Sequence, residues 1–251
     1  PGGLRRGGLK CVGAWARRGA YKGAPGVFYE LGGQVIPIGV QPNGTNINEK
    51  CGATDTEWMR EQVVLNGAHI GIALDGDADR MIIADETGAI LDGDQIMALI
   101  GGSWHSEGRL RGGGVVATVM SNRGLGGYLS GVGLSLARTS AGDRYVVEHM
   151  RGEGFNVGGE QSGHIILGDY GTTGDGLVAA LQVPAVVVSE ARKVSDVCSL
   201  FDPVPPLLRK VRFNCGAPLE DKRVIHAIEP GKNPVAQSPP VAMHKLRPDP
   251  A

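Results

Sequence analysis

The chain has 251 residues, 41% of them hydrophobic, and a formal net charge of -1, which is length and apolar content enough for two α/β cores. A charge so near neutral leaves no basic field to draw in nucleic acid or an anionic membrane surface, and no apolar run reaches the ~20 residues that cross a bilayer. Cys11, Cys51, Cys198 and Cys215 lack both CxxC spacing and the density of a secreted disulfide scaffold, so reduced thiols and a cytoplasmic location are expected, with no secretory core after "PGGLRRGGLK".

In chain order, "KCVGAWARRGAYKG" (10–23) offers no clean apolar strand. A helix is predicted around 24–32, a strand in "VIPIGV" (35–40), a helix over 55–66 and a strand in "AHIGIAL" (68–74). "RMIIADE" follows as a strand, and "DGDQIMALIGGSW" turns into a helix at about Asp94. A second unit is expected from about residue 108. It has a strand in "GGGVVATVMSN", a Gly-weakened helix over 123–131, a strand in "GLSLART" and a helix ending near Gly152. "FNVGGEQSGHIIL" reads as strand, loop and strand. "TTGDGLVAALQVPAVVVSEA" reads as a long helix that Asp175 caps and that Pro184 interrupts or kinks. The whole reads as two consecutive α/β/α domains with mixed sheets, 1–107 and 108–225, and a proline-rich irregular tail over 226–251.

"IGIALDGDADRMIIAD" (70–85) holds the densest chemistry, with Asp75, Asp77 and Asp79 just past a predicted strand and Arg80 at once after them. The carboxyl ends of strands are where open α/β sheets place ligands. Three neighbouring carboxylates repel unless a cation, hydrogen bonds or water offsets them, and hard oxygen donors suit Mg²⁺. Arg80 is then free to face a phosphate. The plain alternative is a solvated acidic turn. An EF-hand would align Asp75, Asp77, Asp79 and Glu86, but it needs glycine where Arg80 stands and helices where strands are predicted. A phosphatase with Asp75 as nucleophile and Asp77 as general acid, similar to the haloacid dehalogenases, explains Asp79, Arg80 and "GEQSGH" poorly.

The stretches "GTNINEKCG" (44–52), "GIALDGDADR" (71–80), "DGDQIMALI" (92–100), "GGGVVATVMSN" (112–122), "GDRYVVEHM" (142–150) and "GGEQSGHIILGDYGTTGDG" (158–176) together resemble the interior of the phosphoglucosamine mutases. These form a branch of the α-D-phosphohexomutase superfamily. The resemblance implies Mg²⁺ on Asp75, Asp77 and Asp79, with Arg80 beside the reacting phosphoryl group. It also implies sugar-hydroxyl recognition by the loop containing Glu160 and Ser162, which read by itself is equally an ordinary tight turn. Arg144 is a candidate phosphate contact, against the reading of a helix-surface charge. Asn46 and Asn48 are turn formers or cleft residues, and His164 is expected to be structural.

The family's serine motif, resembling Thr/Ser-Ala-Ser-His-Asn, and its terminal phosphate loop, resembling Arg-x-Ser-Gly-Thr-Glu-Pro, do not occur in the 251 residues. The resemblance therefore covers the second and third of four family domains. It implies a fragment that is inactive alone, with a phosphorylated hexose or hexosamine as ligand and flanking domains as partners. The chain also departs from the family at "CVGAWARRGAYKG", where "DCANGAAYK" would follow an apolar strand, and at Ala141, where valine is usual. A phosphoglucomutase or phosphomannomutase, the phosphatase above, and a non-catalytic metal or sugar-phosphate binder remain as alternatives. Oligomeric state is left open.

Overall fold

The computed structural model describes residues 8–205 and 221–226. Residues Pro1–Pro203 form one compact unit and Val204–Ala251 a second. Of the second, residues 222–226 are helical, and the tail expected to be irregular lies, from residue 227 on, outside the described residues. Cys215 lies outside them too, while Cys11, Cys51 and Cys198 are free thiols. No helix among the described residues is long and apolar enough to cross a membrane.

The first unit contains two α/β domains with one plan. In the first sheet the strands are β1 (Lys10–Ala14), β2 (Gln34–Ile38), β3 (Ile70–Leu74), β4 (Met81–Ala84) and β5 (Ile90–Leu91), in the spatial order β2-β1-β3-β4-β5. β1, β2 and β3 run parallel, and β4 and β5 return antiparallel. The second sheet holds β6 (Gly114–Thr118), β7 (Ser135–Thr139), β8 (Val157–Gly159) and β9 (Ile165–Leu167) in the order β7-β6-β8-β9. Its first three strands are parallel and β9 is antiparallel. Each sheet is thus a parallel trio followed by a hairpin.

Helices α1 (Gly23–Glu30), α2 (Glu57–Asn66), α4 (Arg123–Gly131) and α5 (Asp143–Glu153) make the parallel crossovers, as parallel strands require. Between the two sheets in sequence comes α3 (Gly93–Ser106), buried at every position from Gly93 to Gly101. Its residues share one apolar core with Ile72 and Leu74 of the first sheet and Val115 and Val157 of the second. A helix apolar all round belongs inside a protein. Two further helices, α6 (Gly176–Glu190) and α7 (Val194–Cys198), close the unit.

The weak opening strand is a correction. β1 lies between β2 and β3 and is buried at Cys11, Val12 and Ala14. Alternation puts Cys11 in the core shared with α3, and Val12 and Ala14 in a second cluster with Met59 and Val63 of α2. With helices on both faces, no polar face exists to produce the alternating pattern that marks a half-exposed strand. Pro184 does not interrupt α6, which continues through it to Glu190. Asp175 caps that helix as expected, its Oδ1 accepting from the Val178 N–H at 2.9 Å.

Candidate metal and sugar-phosphate site

β3 ends at Leu74, opposite Met81 of β4, and residues 75–80 form the hairpin loop between them. Strands on both sides exclude the helix-loop-helix of an EF-hand. Within the loop the Ala78 N–H donates to the Asp75 carbonyl at 3.2 Å and the Arg80 N–H to Asp75 Oδ1 at 3.2 Å. Ala78 takes a left-handed φ of 62°, a cost for a residue with a Cβ. The turn gathers Asp75, Asp77 and Asp79 so that one carboxylate oxygen of each lies within 4.8 Å of the others. A divalent cation bonding oxygen at ~2.1 Å needs only small side-chain movements to draw them in.

Asp75 is the most enclosed of the three, at 7% exposure. Burial pushes its pKa up to about 6; the Arg80 N–H opposes that rise, while a hydrogen bond with Asp79 and the charges of Asp79 and Asp77 add to it. A carboxylate so placed is relieved by a cation, so the donor set fits a hard divalent metal.

The homologous position in the second sheet is the loop between β8 and β9, and it packs on the first. The Met81 N–H donates to the Gly163 carbonyl at 3.0 Å, and the Gly176 N–H donates to the Ala78 carbonyl at 2.9 Å. A Cβ on Gly163 would lie 2.0 Å from the Met81 oxygen, and one on Gly93 2.1 Å from the Glu160 oxygen. These glycines set the separation of the loops. Gln161 Nε2 donates to Asp92 Oδ2 at 2.9 Å, while Asp92 Oδ1 caps α3 through Asp94 and Gln95.

Glu160 and Ser162 lie together, the Ser162 hydroxyl donating to Glu160 Oε2 at 3.2 Å and the Gly142 N–H donating to Glu160 Oε1 at 3.2 Å. Arg80 is exposed. None of the described residues makes an ion pair with its guanidinium. Among the described residues Arg144 has no hydrogen bond or ion pair to this group; it pairs with Glu148 at 3.0 Å and its guanidinium carbon lies 5.8 Å from the centre of the Tyr145 ring. Asn46 shapes a turn, accepting from the Asn43 N–H and donating to the Gln41 carbonyl, both at 3.0 Å. Asn48, at φ 58°, has its amide nitrogen beside Gly76 of the acidic loop.

His164 is more than packing. It is 4% exposed, with Nδ1 3.2 Å from Asp79 Oδ2 and Nε2 3.8 Å from Asp143 Oδ2. Through Nδ1 it joins the β8–β9 loop to Asp79 of the acidic loop, while Nε2 has no hydrogen-bond partner among the described residues; the two residues are too distant in sequence for any local pattern to reveal the contact.

Residues 92–204 match the family model described as phosphoglucomutase/phosphomannomutase, alpha/beta/alpha domain III. The phosphoglucosamine mutase of Sphingopyxis alaskensis is 60% identical over 229 residues, 91% of this chain and 52% of that protein. That of Paramagnetospirillum magneticum is 59% identical over 220 residues, 88% of this chain and 49% of that protein. The chain thus spans about half the length of the curated relatives it matches. Among solved structures, a phosphoglucomutase/phosphomannomutase family protein from Burkholderia thailandensis superposes with a TM-score of 0.70 at 22% identity, covering 78% of this chain and 43% of that one. The Aspergillus fumigatus N-acetylphosphoglucosamine mutase, in complex with GlcNAc-6P and magnesium, gives 0.59 at 21% identity, covering 78% of this chain and 46% of that one. At these identities the structural likeness concerns the fold.

Proposed function

Because the chain is a homologue of the phosphoglucosamine mutases over 91% of its residues, we propose that it supplies the metal- and sugar-binding part of an enzyme interconverting glucosamine 6-phosphate and glucosamine 1-phosphate. The observation that carries this reading is the convergence of three carboxylates within 4.8 Å, on a loop bonded through Met81 to the loop of Glu160 and Ser162. In the proposal Asp75, Asp77 and Asp79 hold Mg²⁺, which when bound neutralises charge on a phosphoryl group. Arg80 faces that phosphoryl group, and Glu160 and Ser162 accept and orient sugar hydroxyls. Arg144, released from Glu148, is the candidate contact for the second phosphate of the bisphosphorylated sugar.

Phosphoryl transfer in this family resemblance runs through a phosphoserine and a bisphosphorylated sugar, and its serine motif does not occur in the 251 residues. Turnover accordingly depends on segments beyond this chain. The same reading divides the chain into a metal-loop domain, 1–107, and a sugar-loop domain, 108–225, in a cytoplasmic protein without nucleic-acid or membrane partners. The family model begins at residue 92 and so groups α3 with the second domain.

Calorimetric titration tests the site first. Mg²⁺ is expected to bind the chain and to bind Asp77→Asn at least ~10-fold more weakly, since one of three carboxylate ligands is lost. Equal affinities would reject the assigned cage. The reaction is then assayed on both glucosamine phosphates with the absent segments joined to this chain, where turnover is expected only in the joined protein. Preference for mannose phosphate would reject the amino sugar, and steady isomerisation by the 251 residues alone would reject the dependence on other segments.

A further inference from the structure

In the first sheet the strand order β2-β1-β3 makes the chain leave β1 toward one side and arrive at β3 on the other. The crevice at the carboxyl ends of those two strands is a topological switch point, where α/β sheets take their ligands. One wall is the acidic loop after β3. The other is the turn after β1, containing Trp15, Ala16, Arg17, Arg18 and Gly19.

The two walls touch. A Cβ on Gly19 would lie 3.2 Å from the Gly76 carbonyl oxygen, and one on Gly76 would lie 3.7 Å from Arg18 Cδ. Ala16 and Arg17 adopt left-handed φ values of 49° and 55°, and the turn closes with the Tyr21 N–H donating to the Arg18 carbonyl at 2.9 Å. The two arginines then differ. Arg17 is engaged, donating to the Glu49 carbonyl and to Cys51 Sγ. Arg18 is exposed, and none of the described residues makes an ion pair with its guanidinium.

A cation whose stem lies against Gly76, between Asp75 and Asp77 in sequence, and which pairs with none of the three carboxylates, suits a shared third party. We infer that Arg18 is a second phosphate-binding side chain of this site, joining Arg80 on the phosphoryl group of a hexose phosphate. The inference rests on the reading of the site as a metal-dependent phosphosugar site. Three carboxylates and a phosphate dianion outweigh one divalent cation and a single guanidinium, and Arg18 reduces the excess. Its five N–H donors match phosphate oxygens better than they match water.

The test is binding, with glucosamine 6-phosphate as probe at saturating Mg²⁺, on the full chain, Arg18→Gln and Arg18→Lys. Arg18→Gln is expected to weaken sugar-phosphate binding ~10-fold, more at low ionic strength than at high, and Arg18→Lys is expected to recover part of the loss. Mg²⁺ affinity without sugar should stay level or rise, because a like charge has been removed. Circular dichroism should not change, since the side chain is exposed. Unchanged sugar-phosphate affinity in Arg18→Gln would overturn the inference, and tighter Mg²⁺ binding alongside it would make Arg18 a counter-charge only. If the unmodified chain binds Mg²⁺ but no glucosamine 6-phosphate, the phosphosugar reading itself falls and the role of Arg18 falls with it.

Discussion

Gly163 is where the β8–β9 loop packs on Met81 at the end of the acidic loop, and it cannot take a side chain. Its φ is 92°, and a Cβ would stand 2.0 Å from the Met81 carbonyl oxygen. Gly163→Ala is therefore expected to destabilise the first unit by more than ~2 kcal/mol, through both backbone strain and the forced separation of the loops. Urea denaturation measures this; a change under ~0.5 kcal/mol would mean the loops part freely. At this scale the acidic cluster was legible, because Asp75, Asp77 and Asp79 lie on one short turn whose mutual charge repulsion is visible in the sequence. The contact of His164 with Asp79 was not, since a histidine's partners are set by which loops fold onto it.

Among the elements, α6 carries a visible cost. Pro184 inside the helix lacks the N–H that would bond the Ala180 carbonyl, and its ring crowds that turn. Pro184→Ala is expected to raise the melting temperature by several degrees, corresponding to about 1–3 kcal/mol. A lower melting temperature would show that neighbouring packing depends on the proline ring. The helix survives because Ala179, Ala180, Val183 and Val187 bury one stripe against the core, and packing outweighs propensity. The opposite holds at β1, where Gly13 and the nearby Arg17 and Arg18 mask a strand that two covering layers bury from Cys11 to Ala14.

Across the whole molecule, the two carboxylates with the most raised pKa values give stability a pH slope. Asp94 is fully enclosed at the start of α3, and burial pushes its pKa up to about 6, against the Asn122 N–H, 2.6 Å from Oδ2, and the charge of Arg138. Asp75 also stands at about 6. Their ordinary value is 3.8, so between 3.8 and 6 the folded chain holds protons that the unfolded chain has released. The contribution of these groups to stability therefore falls as pH rises through that window and stays low above it. Mg²⁺ should restore the Asp75 share at neutral pH and leave that of Asp94 unaffected. Asp94→Asn keeps an acceptor for the Asn122 N–H and loses the charge. It is expected to be more stable than the unmodified chain at pH 7, with the advantage vanishing near pH 4. An advantage that persists undiminished at pH 4 would show that ionisation of Asp94 is not its source.

The amino-acid sequence by itself determined the order of helices and strands from β2 to α6 apart from the two-residue β5, the cap at Asp175, and the acidic loop, because each of these is written in periodicity, propensity or charge over a few neighbouring residues. Only the tertiary structure decided that the hairpin loops of two sheets meet through Met81 and Gly163. It alone placed α3 within one core shared by both sheets, and set Arg18 beside Gly76. These are contacts between distant segments, chosen by which apolar faces can be buried together and by where glycine lets backbones touch. A local pattern carries the need for such a partner, and long-range packing selects the partner.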